Sequence, residues 1–242
     1  MNYKLFYFIL ILYFYYKFYK DKNLFKNEKK KLNIKFVLET IFITFLFCFV
    51  YFRFVENVNI LMIDLTMLKK VFTENYKIIL LYSILIPVME EFIYRFMFYN
   101  VFYDLENILN SRILVFIKIF LMYMIIFFYG LDILKGINSN YHILISLLIF
   151  SGFILFNFAL KKNKLPIMQR LFIINSIIFL LVHYNNIVYQ NGTNIFYRGP
   201  MYLIFSMILN VIFQKYKSTD FTIFFHICWN FWFIIAGFLI SN

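Results

Sequence analysis

The 242-residue sequence is poor in the residues that soluble proteins use at their surfaces and in their turns. Only 15% of the residues are charged, and the chain has 6 glycines, 3 prolines and 2 alanines. A soluble domain has about a quarter charged residues, so this composition excludes a soluble globular domain and a disordered chain. The 2 cysteines, Cys48 and Cys228, lie in apolar runs and imply no disulfide framework. Because alanine is so scarce, no A-x-A cleavage site follows the first apolar run, and we expect the N-terminal segment to be retained.

The residues that are abundant are apolar: 63% of the chain is hydrophobic and 24% is aromatic. A helix needs about 20 apolar residues to cross a bilayer, and eight segments approach or reach that length. These segments are roughly 4–16, 36–55, 78–101, 113–131, 141–160, 171–189, 201–213 and 221–240. A helix satisfies its own backbone polar groups in lipid. The sequence therefore predicts an all-α fold, a polytopic transmembrane bundle of about eight spans that forms a single membrane domain over residues 1–242.

The basic residues collect in alternate loops. Residues 17–35 contain eight lysines, and the connection near 161–170 contains Lys161, Lys162, Lys164 and Arg170. The positive-inside rule makes these loops cytoplasmic, so both ends of an eight-span chain lie outside. The net charge of +12 then reflects topology and contact with anionic membrane lipids, and no polar domain is left to bind nucleic acid. The excess of Lys, Ile, Asn and Phe indicates an AT-rich genome and favours a multi-pass protein of the bacterial cytoplasmic membrane.

Three ionisable residues lie in the third apolar segment, where each charge would cost roughly 2.5–3.5 kcal/mol to insert. Glu91 and Arg95 are four residues apart, so on a helix they share a face and can pair. Glu90 would then point to a different surface, since successive helical residues are about 100° apart. Pro87 removes a backbone hydrogen bond and can kink the helix at this point. The pattern predicts a functional site at Glu90.

Two further apolar segments each carry a histidine. His183 follows Phe179 by four residues, and His226 precedes Asn230 by four residues. Glu90 with the two imidazoles makes a ligand set for a divalent metal ion such as Zn²⁺. The same residues could instead hold a water for a glutamate base to deprotonate, with Asn230 donating a hydrogen bond to the oxyanion that develops. Both interpretations remain open from the residues alone.

These three clusters together resemble the CPBP family of intramembrane metalloproteases, which includes the CAAX proteases and bacteriocin-processing enzymes and is also called the Abi family. Its motifs E-E-x-x-x-R, F-x-x-x-H and H-x-x-x-[ND] correspond to residues 90–95, 179–183 and 226–230. The resemblance covers about 80–240 and implies a catalytic core there, with a two-span insertion at about 112–160.

The resemblance implies an intramembrane endopeptidase that cleaves membrane-associated proteins or peptides. Glu90 would activate the hydrolytic water, and His183 and His226 would bind that water or a metal ion. Three further residues would orient the site and complete the shell around the oxyanion or metal: Glu91, Arg95 and Asn230. Maturation of bacteriocins or signal peptides is the substrate class expected in a host without prenylation. The sequence makes no prediction of the oligomeric state.

Other functions fit the sequence less well. A non-catalytic immunity or scaffold protein of the same fold would use the polar residues for binding. An ion or proton transporter would be expected to have Gly- or Pro-interrupted spans in matching halves, which the three prolines do not provide. The sequence has no H-E-x-x-H zinc motif and no G-x-S-x-G nucleophile turn. Cys228 lies between His226 and Asn230, and we expect it to be a packing residue.

Overall fold

The computed structural model describes residues 32–56, 81–100, 142–183 and 195–240, and the regular elements within these ranges are all helical. The longer helices are α1 (Ile34–Glu56), α2 (Ile86–Glu91), α3 (His142–Lys162), α4 (Ile167–Val182), α5 (Ile195–Tyr216) and α6 (Thr219–Ile240). The all-α prediction is confirmed for this part of the chain. The predicted segments 4–16 and 113–131 lie outside the described residues, so the total of eight spans stays a prediction.

Short π-helical segments flank α2 on both sides. They cover Leu81–Leu85 and Phe92–Met97. A π-helix pairs residue i with i+5 and occurs mostly as single turns, frequently at functional sites. Pro87 is the second residue of α2 and follows the first π-helical segment, whose last residue, Leu85, also has helical φ and ψ. Proline has no N–H to donate, so one backbone hydrogen bond is missing at this point. The backbone is therefore irregular on both sides of the two glutamates.

Two helices differ in extent from the apolar segments that predicted them. Helix α4 begins at Ile167, directly after Pro166, and its last residue is Val182, with His183 as the C-cap. Helix α5 begins at Ile195, so the predicted start at residue 201 was wrong by six residues. The polar and helix-breaking residues Arg198, Gly199 and Pro200 suggested a loop, yet the helix continues through them. Proline within a helix is tolerated when its surroundings satisfy the freed carbonyl.

The described residues fall into two compact units. The first unit contains 93–100, 142–183 and 195–214, and the second contains 32–56, 81–92 and 215–240. Each boundary between the units lies inside a helical stretch, after Phe92 and after Gln214. For this reason no Gly- or Pro-rich linker marks either boundary in the sequence.

In the second unit, α1 packs on α6 through a row of small side chains with aromatic contacts on either side. Thr40, Thr44 and Cys48 are buried and follow one another at intervals of four residues. Small residues let two helices approach closely, and the Cys48 thiol lies 3.8 Å from the carbonyl oxygen of Trp229. Phe47 contacts the Trp229 ring at 4.5 Å between centroids. Trp229 is therefore a packing residue.

The opposite face of α1 is apolar and exposed. Leu38, Phe42 and Phe49 lie on it with large exposed fractions. Among the described residues, one stretch, Ile34–Tyr51, is long and apolar enough to cross a membrane, and Ile167–Val182 and Thr219–Ile235 are shorter apolar helices. An apolar face of this kind is expected where a helix contacts lipid rather than water.

Candidate active site

The second unit brings Glu90, Glu91 and His226 together. The two glutamates are the last two residues of α2, and His226 lies in the second turn of α6. Oε1 of Glu91 is 2.8 Å from Nδ1 of His226, and Oε2 of Glu90 is 3.8 Å from Nε2 of the same ring. The exposed fractions of these three residues are 6% for Glu90, 0% for Glu91 and 3% for His226. Both carboxylates thus face one buried imidazole.

The contact with Glu91 selects one tautomer of a neutral His226 ring. An ionised carboxylate only accepts hydrogen bonds, so Nδ1 of His226 carries the proton and donates it toward Glu91. In the neutral ring, Nε2 then presents its lone pair on the side of Glu90. A water bonded to both Nε2 and Glu90 would sit beside the line between them, because 3.8 Å is well short of two hydrogen bonds of about 2.8 Å end to end. The arrangement suits a water held between a base and an oriented imidazole.

The structure corrects the prediction that Glu90 and Glu91 point to different surfaces, because both side chains approach the His226 ring. Adjacent helical residues point about 100° apart, which predicted different surfaces for Glu90 and Glu91. In the structure this divergence lets the two side chains reach the two nitrogens of one ring, since Nδ1 and Nε2 lie at different positions on the ring edge. The sequence could not reveal this contact because His226 is 135 residues from Glu91. The predicted pairing of Glu91 with Arg95 crosses the boundary between the units and stays a prediction.

Arg95 belongs to the first unit and is completely buried. Its Nη2 donates hydrogen bonds to the Ser206 carbonyl oxygen at 3.2 Å and to the Ser206 hydroxyl at 3.1 Å. Its guanidinium lies 4.8 Å from the centroid of the Phe179 ring, a distance typical of a cation–π contact. Arg95 is thus anchored to α4 and α5, and Phe179 links it to the second sequence motif.

His183 ends α4 in the first unit. Its Nδ1 lies 2.8 Å from the carbonyl oxygen of Phe179, one turn earlier. The ring stacks on the Phe179 ring at 4.3 Å and on the Tyr202 ring at 4.7 Å between centroids. The F-x-x-x-H motif therefore describes a direct contact: Phe179 supplies both a hydrogen-bond acceptor and a stacking surface to His183.

Asn230 and the predicted metal ligands complete the set of predicted site residues. Asn230 lies one turn after His226 on α6 and is partly buried. Glu90 and His226 belong to the second unit, and His183 belongs to the first. Within the described ranges, no group of three His, Cys, Asp or Glu side chains could hold a metal ion. The described residues therefore give no complete ligand set for a metal ion.

Sequence reasoning missed a network of buried polar side chains in the first unit. Asn210 donates to the Ser176 hydroxyl at 2.9 Å and accepts from the Tyr99 hydroxyl at 3.3 Å. Gln214 donates to the Tyr99 oxygen at 3.1 Å, and Asn175 donates to the backbone carbonyl of Tyr94. Each contact joins two helices. The signal that could have found them is an amide or hydroxyl residue inside an otherwise apolar segment, which in a membrane helix is expected to face another helix.

Comparison with known families identifies part of this chain. Residues 148–232 match the family model described as type II CAAX prenyl endopeptidase Rce1-like. The matched residues include F-x-x-x-H at 179–183 and H-x-x-x-N at 226–230, and the two glutamates precede them. Comparisons with curated proteins and with solved structures give no match.

The match confirms the predicted resemblance to the CAAX protease family. The Rce1-like family consists of membrane-embedded proteases, which agrees with the apolar composition of the chain. The matched range begins inside α3, whereas the sequence predicted a core that starts near residue 80. The match does not include residues 90–95. The assignment of the first motif therefore depends on its sequence pattern and on the contacts that Glu90 and Glu91 make with His226.

Proposed function

We propose that the protein is an intramembrane endopeptidase that hydrolyses peptide bonds of membrane-associated proteins or peptides with a water activated by Glu90. The observation that carries this proposal is the placement of Glu90 and Glu91 on the two nitrogens of the buried His226 ring. A protease-type family match covers His226 and extends over 148–232. Together they support hydrolysis rather than simple binding.

The proposed reaction begins with a water held by Glu90 and by Nε2 of His226. Glu90 accepts a proton from the water while the water oxygen attacks the carbonyl carbon of the scissile bond, which gives a tetrahedral intermediate. Glu90 then passes the proton to the leaving amine, and the carbon–nitrogen bond breaks. General acid–base catalysis of this kind contributes about 10²–10⁴-fold to the rate.

The other residues of the second unit would support these steps. Glu91 holds His226 in one orientation and one tautomer, so that Nε2 is available to the water. We expect the Asn230 amide to donate a hydrogen bond to the oxyanion of the intermediate. Glu90, Glu91 and His226 are all buried. The electrostatic interactions among them are therefore strengthened, because the effective dielectric constant is low there.

The resemblance assigns roles in the same reaction to two residues of the first unit. His183 would bind the water or a metal ion, and Arg95 would orient the site. The substrate class we propose is a membrane-associated peptide or protein, as in maturation of bacteriocins or signal peptides. The prenylated class named in the family description is a further candidate substrate. The protein would act as a multi-pass protein of a bacterial cytoplasmic membrane.

The decisive experiment compares the purified protein with its Glu90→Gln variant on a library of membrane-inserted peptides in detergent. We expect the variant to lose about 10²–10⁴-fold in turnover, because glutamine cannot accept the proton. Glu39→Gln is the matched control, since Glu39 is an exposed glutamate of α1, ion-paired with Lys35 at 3.9 Å. Equal turnover by the wild type and Glu90→Gln would overturn the proposal and favour the immunity or scaffold alternative. Metal analysis of the active wild type tests the metal prediction separately.

A further inference from the structure

Helix α5 carries none of the three sequence motifs, yet it contacts motif residues from two other helical segments. Tyr202 stacks on His183, and Ser206, one turn later on the same face of α5, binds Arg95. Phe179 lies between these two motif residues, with the Arg95 guanidinium at 4.8 Å and the His183 ring at 4.3 Å from its centroid. Arg95, Phe179, His183 and Tyr202 thus form a continuous stack, which we call the aromatic stack.

The His183 ring is in close contact with two aromatic rings. The interplanar angles are 30° with Phe179 and 25° with Tyr202, and both ring centroids are less than 5 Å from the centroid of the imidazole. Both rings are thus nearly parallel to the imidazole, and this packing favours the ring orientation seen in the structure.

The orientation held by this stack selects one tautomer. A backbone carbonyl oxygen accepts hydrogen bonds and never donates them, so Nδ1 of His183 must carry the proton that faces the Phe179 oxygen at 2.8 Å. Nε2 of the neutral ring is then an acceptor on the edge that faces away from this carbonyl. A ring turned over by 180° would lose this hydrogen bond.

We propose that Tyr202 is a positioning residue for His183: its ring packs against the imidazole and keeps it in the orientation in which Nδ1–H faces the Phe179 carbonyl oxygen. The proposal rests on the proposed function in one respect, the participation of His183 in hydrolysis. Tyr202 acts through its ring face and does not touch the substrate. A misplacement of a reacting group by about 1 Å can cost about 10²-fold in rate, so a positioning residue of this kind has a measurable effect.

The test uses Tyr202→Leu, which keeps an apolar side chain but removes the flat ring, and Tyr202→Phe, which keeps the ring. Ile204→Ala is the matched control, because Ile204 is an exposed residue of the same helix. The full-length proteins are labelled with ¹⁵N-histidine, and the His183 signals are assigned by their loss in His183→Gln. The chain has only 3 histidines, so the spectrum is simple. Peptidase kinetics are measured on the same samples.

We expect the wild type, Tyr202→Phe and Ile204→Ala to show separate protonated and unprotonated ¹⁵N resonances for His183, as a single neutral tautomer does. In Tyr202→Leu these two resonances should move toward their average, and kcat should fall about tenfold or more with little change in KM. A single tautomer and full kcat in Tyr202→Leu would overturn the proposal. Absence of peptidase activity in the wild type would refute the proposed function instead, and the ¹⁵N spectra would still decide whether Tyr202 holds His183.

Discussion

Glu91 binds His226 at 2.8 Å through a hydrogen bond that joins the end of α2 to α6, across 135 residues of sequence. Both side chains are removed from solvent, so the contact is made in surroundings of low dielectric constant, where a hydrogen bond to a charged group is strongest. Glu91 thus orients the His226 ring, whose other nitrogen lies 3.8 Å from Glu90. Glu90 and Glu91 therefore have different predicted roles, which substitutions at the two positions can separate.

Glu91→Gln should lower turnover less than Glu90→Gln. Glutamine keeps the size of the side chain but removes its charge, and a hydrogen bond to a charged group contributes about 1.5–3 kcal/mol, equivalent to roughly 10- to 100-fold in rate. Peptidase assays on both variants, with Glu39→Gln as the control, measure the order. If Glu91→Gln were the more damaging variant of the two, Glu91 rather than Glu90 would have to be the base.

Ser206→Ala should destabilise the protein. The alanine side chain leaves the Ser206 carbonyl as an acceptor for Arg95 but removes the hydroxyl that accepts from Nη2 at 3.1 Å. Loss of one hydrogen bond to a buried charged group costs about 1.5–3 kcal/mol. Thermal unfolding in detergent measures the change, and Ser151→Ala, at an exposed position of α3, should unfold like the wild type. Equal unfolding of Ser206→Ala and the wild type would contradict this assignment.

The two thiols should be dispensable for catalysis. Cys48 and Cys228 are both buried, and Cys48 faces the carbonyl oxygen of Trp229 on α6. A thiol in apolar surroundings is a poor nucleophile and is usually inert. The double variant Cys48→Ala/Cys228→Ala should therefore retain peptidase turnover, measured on the same peptide library. Loss of turnover in a folded double variant would mean that a thiol takes part in the reaction.

The lysine-rich loops should lie on one side of the membrane. Single cysteines introduced at Lys26 and Lys162 in the cysteine-free double variant should react with a membrane-impermeant maleimide from the same, cytoplasmic side. The positive-inside rule gives this expectation, and Lys162 is exposed at the end of α3. Labelling of the two positions from opposite sides would refute the eight-span topology, because an even number of spans must separate these loops.

The sequence predicted the helices of the described part well where their apolar runs were uninterrupted. Helices α1 and α6 lie within two residues of the predicted segments, because no proline interrupts their apolar runs. The start of α5 was missed because Arg198, Gly199 and Pro200 look like a loop, whereas the helix continues through them. Local sequence signals thus identified the elements and missed the part of α5 that precedes and includes Pro200.

The site was predictable as a set of residue types and not as a set of contacts. Ionisable residues in apolar segments are costly, so Glu90, His183 and His226 could be selected from the sequence alone. Their partners could not, because the Glu91–His226 and Tyr202–His183 contacts depend on which helix faces lie together. Tyr202 is one of 20 tyrosines in the chain, and nothing in its sequence neighbourhood distinguishes it.

The two histidines differ in their place along their helices, and this difference has a consequence for how the protein responds to heat. His226 has helical turns on both sides, whereas His183 is the cap at the end of α4, where its amide hydrogen bonds are at the fraying terminus. Helix ends open with far lower free energy than helix interiors do. Amide hydrogen exchange should therefore be faster at His183 than at His226, and activity should decline on warming before the helical content does.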